Sequence, residues 1–140
     1  MILFDTSVVI DARDKGSPWH QWAKEQISQA GSSEGAAINS VVLAEACVRA
    51  ERRDALPALL EQIGFTLIAL PLSSAVAAAE AYATYLDRLK VEGKKPASKI
   101  PLGDFFIGAH AQAEGMRLVT RDPDRVRTYF PKVELIVPVE

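Results

Sequence analysis

Short apolar runs alternate along the chain with longer segments whose apolar residues recur at helical spacing, and this alternation sets the fold class. The chain opens on ILF, read as a strand ending in Asp5, and a helix follows over 7–13 before the Gly-Ser-Pro break at 16–18. Residues 19–30 hold Trp19, Trp22, Ala23, Ile27 and Ala30 near one face, the pattern of an amphipathic helix. AAIN reads as a short buried strand, and Ser40 is placed to cap the helix after it. The next helix, over 54–63, carries Leu56, Leu59, Leu60 and Ile63 and is stopped by Gly64. FTLIAL predicts a strand, SSAVAAAEAYATYLDRL a long alanine-rich helix, and the polar tract VEGKKPASKIP a loop broken by Gly and Pro. A helix then runs from Gly103 to Glu114, with Gly115 as its stop. MRLVT is read as a strand, TRDPD as a turn and VELIV as a last strand.

Apolar strands separated by helices predict an α/β, three-layer α/β/α domain around a central, mostly parallel sheet. No repeat or linker divides residues 1–140, so one domain is expected. In such sheets ligands collect beyond the carboxyl ends of the strands. The positions of the acids therefore become informative.

Glu45 interrupts VVLAEACV, a run that otherwise looks fit for burial. A bare carboxylate in such a place is costly without a positive partner. Asp5 closes the first strand, Asp104 falls in the first turn of the helix after the broken loop, and Asp122 follows LVTR. All four acids are predicted to meet at one sheet edge. Each also has a local reading: Asp5 as a helix cap, Asp104 as a partner of the helix dipole, Asp122 as part of a turn with Pro123, and Glu45 as a partner of Arg49. One acidic pocket accounts for the four together. Its like charges need a counter-charge, and hard cations such as Mg²⁺ or Mn²⁺ suit oxygen donors. Such a cation activates water and neutralises phosphate charge, which makes phosphodiester hydrolysis the expected chemistry.

Composition narrows the alternatives. The formal charge of −2 argues against nucleic-acid binding through the overall field, yet two basic clusters stand out, between Arg88 and Lys99 and between Arg117 and Lys132. The single Cys47 forms no internal disulfide and lies on a helical stripe with Leu43 and Ala50, so it is expected inside. His20 and His110 are read as structural, which leaves no His or Cys cluster for zinc. The sequence has no P-loop, dinucleotide fingerprint or GxSxG elbow. No apolar run reaches membrane-spanning length and no signal-type segment leads the chain, so a cytoplasmic protein is expected.

ILFDTSVVID, NSVVLAEA and PLGDFFIGAHAQAEGMRLVTRDPDRVRTYFPKVELIVP resemble, in order and spacing, the PIN-domain ribonucleases, and specifically the VapC-type toxins of toxin–antitoxin pairs. The resemblance implies a PIN-like fold and endonucleolytic cleavage of RNA by a metal-activated water. It implies that Asp5, Glu45, Asp104 and Asp122 bind Mg²⁺ or Mn²⁺, with Asp124 a possible substitute for Asp122. It implies support from Thr6 or Ser7 and from Thr120. Lys94, Lys95, Lys99 and Arg121 are the expected substrate contacts. The partners implied are an RNA substrate, a small VapB-type antitoxin and a second copy in a homodimer, with no membrane. A non-cleaving PIN-fold module for RNA or protein is the alternative. A receiver or aspartyl phosphatase fits poorly, since DTSVV has no second Asp two residues after the first.

Overall fold

The computed structural model describes residues 1–95 and 102–139. The chain runs β1 (Ile2–Phe4), α1 (Thr6–Arg13), α2 (His20–Gly31), β2 (Ala36–Asn39), α3 (Ser40–Val48), α4 (Leu56–Ile63) and β3 (Phe65–Ile68). It continues with α5 (Leu72–Val91), α6 (Leu102–Glu114), β4 (Leu118–Val119), α7 (Pro123–Tyr129) and β5 (Leu135–Ile136). The strands form one sheet in the order β3-β2-β1-β4-β5, and every neighbouring pair is parallel. This is the expected α/β architecture, with helices around an all-parallel sheet.

The chain builds outward from β1 to β2 and β3, then crosses back to place β4 on the other side of β1. Right-handed connections send the helices of these two excursions to opposite faces. The point between β1 and β4, where the direction reverses, is where a doubly wound sheet opens a crevice. Burial follows from the topology: every residue of β1 and β2 is buried, which is why these strands read as unbroken apolar runs.

The core contains Leu3, Phe4, Ile38, Leu60 and Phe105, with Phe4 edge-on to Phe65 at 5.2 Å. Phe105 is the centre of an aromatic cluster with Tyr82, Tyr85, Tyr129 and Phe130, which ties α5, α6 and α7 together. Gly108 permits the closest approach in that cluster, because a Cβ on it would lie 2.4 Å from a Phe130 ring carbon.

Several sequence expectations need correction. TRDPD is not only a turn: Pro123 opens α7, where its fixed φ and missing N–H suit a first helical position. Ser40 does not cap α3. Asn39 does, its Oδ1 accepting from the Val42 N–H at 3.0 Å, while the Ser40 hydroxyl accepts from the Leu70 N–H. VVLAEACV is not packed all round, since α3 buries Val42 and Ala46 but leaves Glu45 exposed and Val48 70% exposed. Cys47 is half-buried. The last two strands keep only two residues each of the longer runs read as strands. Among the described residues, no helix is long and apolar enough to cross a membrane.

Candidate active site

Asp5 and Thr120 leave the ends of β1 and β4 side by side, because the register pairs Leu3 with Leu118 and Phe4 with Val119. The Thr120 hydroxyl donates to Asp5 Oδ2 at 2.8 Å, and the Asp5 Oδ1 caps α1 by accepting from the Thr6 N–H at 2.7 Å. Thr120 is fully buried, and its hydroxyl also accepts from the Asp122 N–H at 3.0 Å. One hydroxyl thus ties two of the predicted acids to adjacent strand ends.

Glu45 is brought up by α3, which follows β2. Thr6 Oγ1 donates to Glu45 Oε1 at 2.8 Å, so Glu45 pairs with Thr6 rather than Arg49. Gly103 leaves room for the carboxylate; a Cβ there would sit 3.1 Å from Glu45 Oε2. The direction of α3 is set at its start, where the Asn39 amide donates to Nδ1 of buried His110 at 3.1 Å. Desolvation lowers the His110 pKa and keeps the ring neutral, so Nδ1 accepts and the proton lies on Nε2.

Asp104 occupies the first turn of α6 and is paired with Arg125 of α7. Asp5, Asp104, Asp122, Asp124, Arg121 and Arg125 line one cavity of about 360 Å³. The Asp5 carboxyl is pushed up to about 6, chiefly by burial and further by repulsion from Asp104 and Glu45, against the hydrogen bonds from Thr120 and Thr6. Partial desolvation of its carboxylate, with Asp104 adding and the Thr6 hydrogen bond opposing, raises Glu45 as well, although the residue as a whole is exposed. Asp104 is also raised, because burial outweighs the nearby Arg125 and Asp122 adds its repulsion.

Groups that raise one another in this way gain from a positive partner, and an all-oxygen donor set fits Mg²⁺ or Mn²⁺. Asp5, Glu45, Asp104 and Asp122 are the residues that would hold it. In the arrangement seen, each of the first three is engaged locally, by Thr120, Thr6 and Arg125. No three His, Cys, Asp or Glu side chains among the described residues form a closed cation cluster.

The remaining predicted residues are scattered. Ser7 keeps a buried hydroxyl without a hydrogen-bond partner among the described residues, and Thr6 is the hydroxyl that reaches an acid. Arg121, expected to face substrate, instead places Nε 2.5 Å from Oδ2 of buried Asp11, although it still borders the cavity. Lys94 is exposed and 3.2 Å from Glu92, Lys95 is exposed, and Lys99 lies outside the described residues.

Sequence reasoning passed over Arg125, Asp11 and the Asn39–His110 pair. Asp11 had a signal of the kind that marked Glu45, a lone acid in the apolar helix VVIDA. Arg125 had none beyond its place in a basic cluster.

The PIN domain family model matches residues 2–131. The chain belongs to the PIN domain family. Among solved structures this PIN domain is similar to VapBC2 from Rickettsia felis bound to a DNA fragment from its promoter, with 19% identity, 99% of this chain and 100% of that chain covered, and a TM-score of 0.65. It is similar to a toxin–antitoxin complex from Klebsiella pneumoniae, with 22% identity, 100% and 99% coverage and a TM-score of 0.63. FitAcB from Neisseria gonorrhoeae aligns at 19% identity, 97% and 96% coverage and a TM-score of 0.61. At these identities the likeness is one of fold. No curated protein matches the chain.

Proposed function

We propose that this PIN domain is the endoribonuclease toxin of a VapBC-type toxin–antitoxin pair and that it works with Mg²⁺ or Mn²⁺. The observation that carries the reading is that Asp5, Asp104 and Asp122 line one cavity and that Asp5, Glu45 and Asp104, from three separate segments, are held at raised pKa by burial and by neighbouring acids. Family membership and neighbours that are toxin–antitoxin complexes support it.

The chain's own residues supply positioning. Thr120 and Thr6 fix the carboxylates of Asp5 and Glu45, so their free lone pairs are aimed before any ligand arrives. Asp104 and Asp122 line the same cavity as Asp5, and Glu45 lies outside its lining. A divalent cation held there lowers the pKa of water and offsets the charge that grows on the phosphate oxygens. No side chain of the cleft then needs to act as nucleophile. Discrimination of RNA from DNA falls to contacts around the cleft that reach the 2′-OH.

Three finer readings belong to the same proposal: RNA as substrate, a small antitoxin that covers the acidic cleft, and a homodimer. A second reading, a PIN module that binds without cutting, draws support from the Arg125–Asp104 pair, which neutralises one acid of the cleft. Purified protein incubated with RNA and Mn²⁺ decides between them. Metal-dependent cleavage that Asp104→Asn abolishes is the expected result. Tight RNA binding with no cleavage at any Mn²⁺ concentration would overturn the nuclease reading.

A further inference from the structure

We infer that Arg125 is the resident counter-ion of the carboxylate cluster, and that it must release Asp104 before a divalent cation is held there. The inference rests on the function proposed above. Arg125 Nη1 contacts Asp104 Oδ2, and the guanidinium carbon lies 5.8 Å from the centre of the Tyr85 ring and 5.9 Å from that of Phe105. Arg125 of α7 therefore rests on an aromatic shelf built by α5 and α6 and reaches across it into the cavity that Asp5, Asp104 and Asp122 line.

The attachment is built for exchange rather than for permanent bracing. A guanidinium offers five N–H donors in a rigid fork. Among the described residues, Asp104 Oδ2 is the one hydrogen-bond acceptor that Arg125 reaches. Its side chain is 36% exposed, so it can swing out without unpacking the core. Contrast Arg121, whose partner Asp11 is buried and also braced by Ser17.

A dication and a guanidinium cannot share one carboxylate oxygen without strong like-charge repulsion. Cation binding at Oδ2 of Asp104 is therefore coupled to departure of Arg125, binding at Oδ1 is opposed by the same nearby charge, and the shelf of Tyr85 and Phe105 keeps the released group beside the cleft. The apparent affinity for the cation is then set by the difference between two partners for Asp104. Arg125 acts here as an affinity-setting residue through Asp104.

Calorimetric titration of Mn²⁺ into the protein without RNA tests this. Arg125→Gln should bind Mn²⁺ on the order of tenfold more tightly than wild type, as fits removal of one close positive charge from a partly buried site. Arg127→Gln removes a charge two residues along α7, on another side of the helix, and should stay within about twofold. Equal or weaker binding by Arg125→Gln overturns the inference, as does an equal gain in Arg127→Gln, which would reveal a general field effect. Should Arg125→Gln fail to fold, the wild-type protein still answers: addition of Mg²⁺ should shift the Arg125 Nε–H resonance, and an unmoved resonance at saturating Mg²⁺ overturns exchange. Mn²⁺ binding absent from wild type and Arg125→Gln alike would bring down the proposed function as well.

Discussion

Thr120 and Asp5, 115 positions apart in the chain, are joined by a 2.8 Å hydrogen bond between the ends of adjacent parallel strands. The same hydroxyl receives the Asp122 N–H, so a single oxygen aligns two acids of the cleft. Thr120→Val keeps the shape and removes both bonds. Loss of a hydrogen bond to a charged group together with a buried backbone partner should cost about 2 kcal/mol of stability. Cation affinity should fall as well, and Thr120→Ser should restore it. Melting curves and Mn²⁺ titrations of the two variants check this.

Stability of the cation-free protein should decline as pH rises. Asp5 binds its proton more tightly folded, at about 6, than at the ordinary value of 3.8. A group raised in this way favours the folded state fully below its unfolded pKa, and that contribution disappears as pH climbs through the folded pKa. The shift corresponds to about 3 kcal/mol between the two ends of the window. Glu45 and Asp104 are shifted in the same direction. Melting in the presence of chelator should therefore be higher at about pH 5 than at about pH 7, and Mn²⁺ should narrow or invert the gap. A melting temperature that rises over this range with chelator present would contradict the shifts.

Asp11 is expected to be needed for folding rather than for chemistry. It is buried, accepts from Ser17 Oγ at 2.9 Å and pairs with Arg121, which is 30% exposed. Asp11→Ala strands the Arg121 charge and should cost about 2–3 kcal/mol, somewhat less than for a wholly buried pair. Replacing both residues, Asp11→Leu with Arg121→Met, should recover most of the loss. Urea denaturation of the single and double variants measures the difference.

Gly108→Ala should destabilise the contact between α6 and the end of α7. The added methyl would meet the Phe130 ring at 2.4 Å, and overpacking of this kind costs typically about 1–3 kcal/mol. Phe130→Leu in the same chain should give part of it back. Thermal melts of the two variants are enough to see the effect.

The sequence showed the fold through its strands, because strands buried on both faces in a parallel sheet leave unbroken apolar runs such as ILF and AAIN. Glu45 stood out because it interrupts an apolar run, whereas Asp5 and Asp104 also satisfy local rules at helix starts and were singled out by their places in the predicted fold. What it hid was pairing. Nothing in the spacing of Arg121 and Arg125 says that the first turns to Asp11 and the second to Asp104, since two arginines four positions apart were split between two partners by tertiary packing. Asn39 was missed as a cap because Ser40 beside it satisfies the same preference, and only the contact with His110 shows which residue is held in place. Pro123 read as a turn because the residue that breaks a helix interior also begins one.

The position of β4 has a consequence for how the protein is made. Residues 118 and 119 enter the sheet beside β1, which is made before every other strand of this sheet. A nascent chain halted between residues 45 and 118 has Asp5 and Glu45 but neither Thr120 nor Asp122, and its central strand has an open side. Long-range pairing of this kind closes late. The cleft is therefore completed only once Thr120 and Asp122 have been made and β4 has docked against β1.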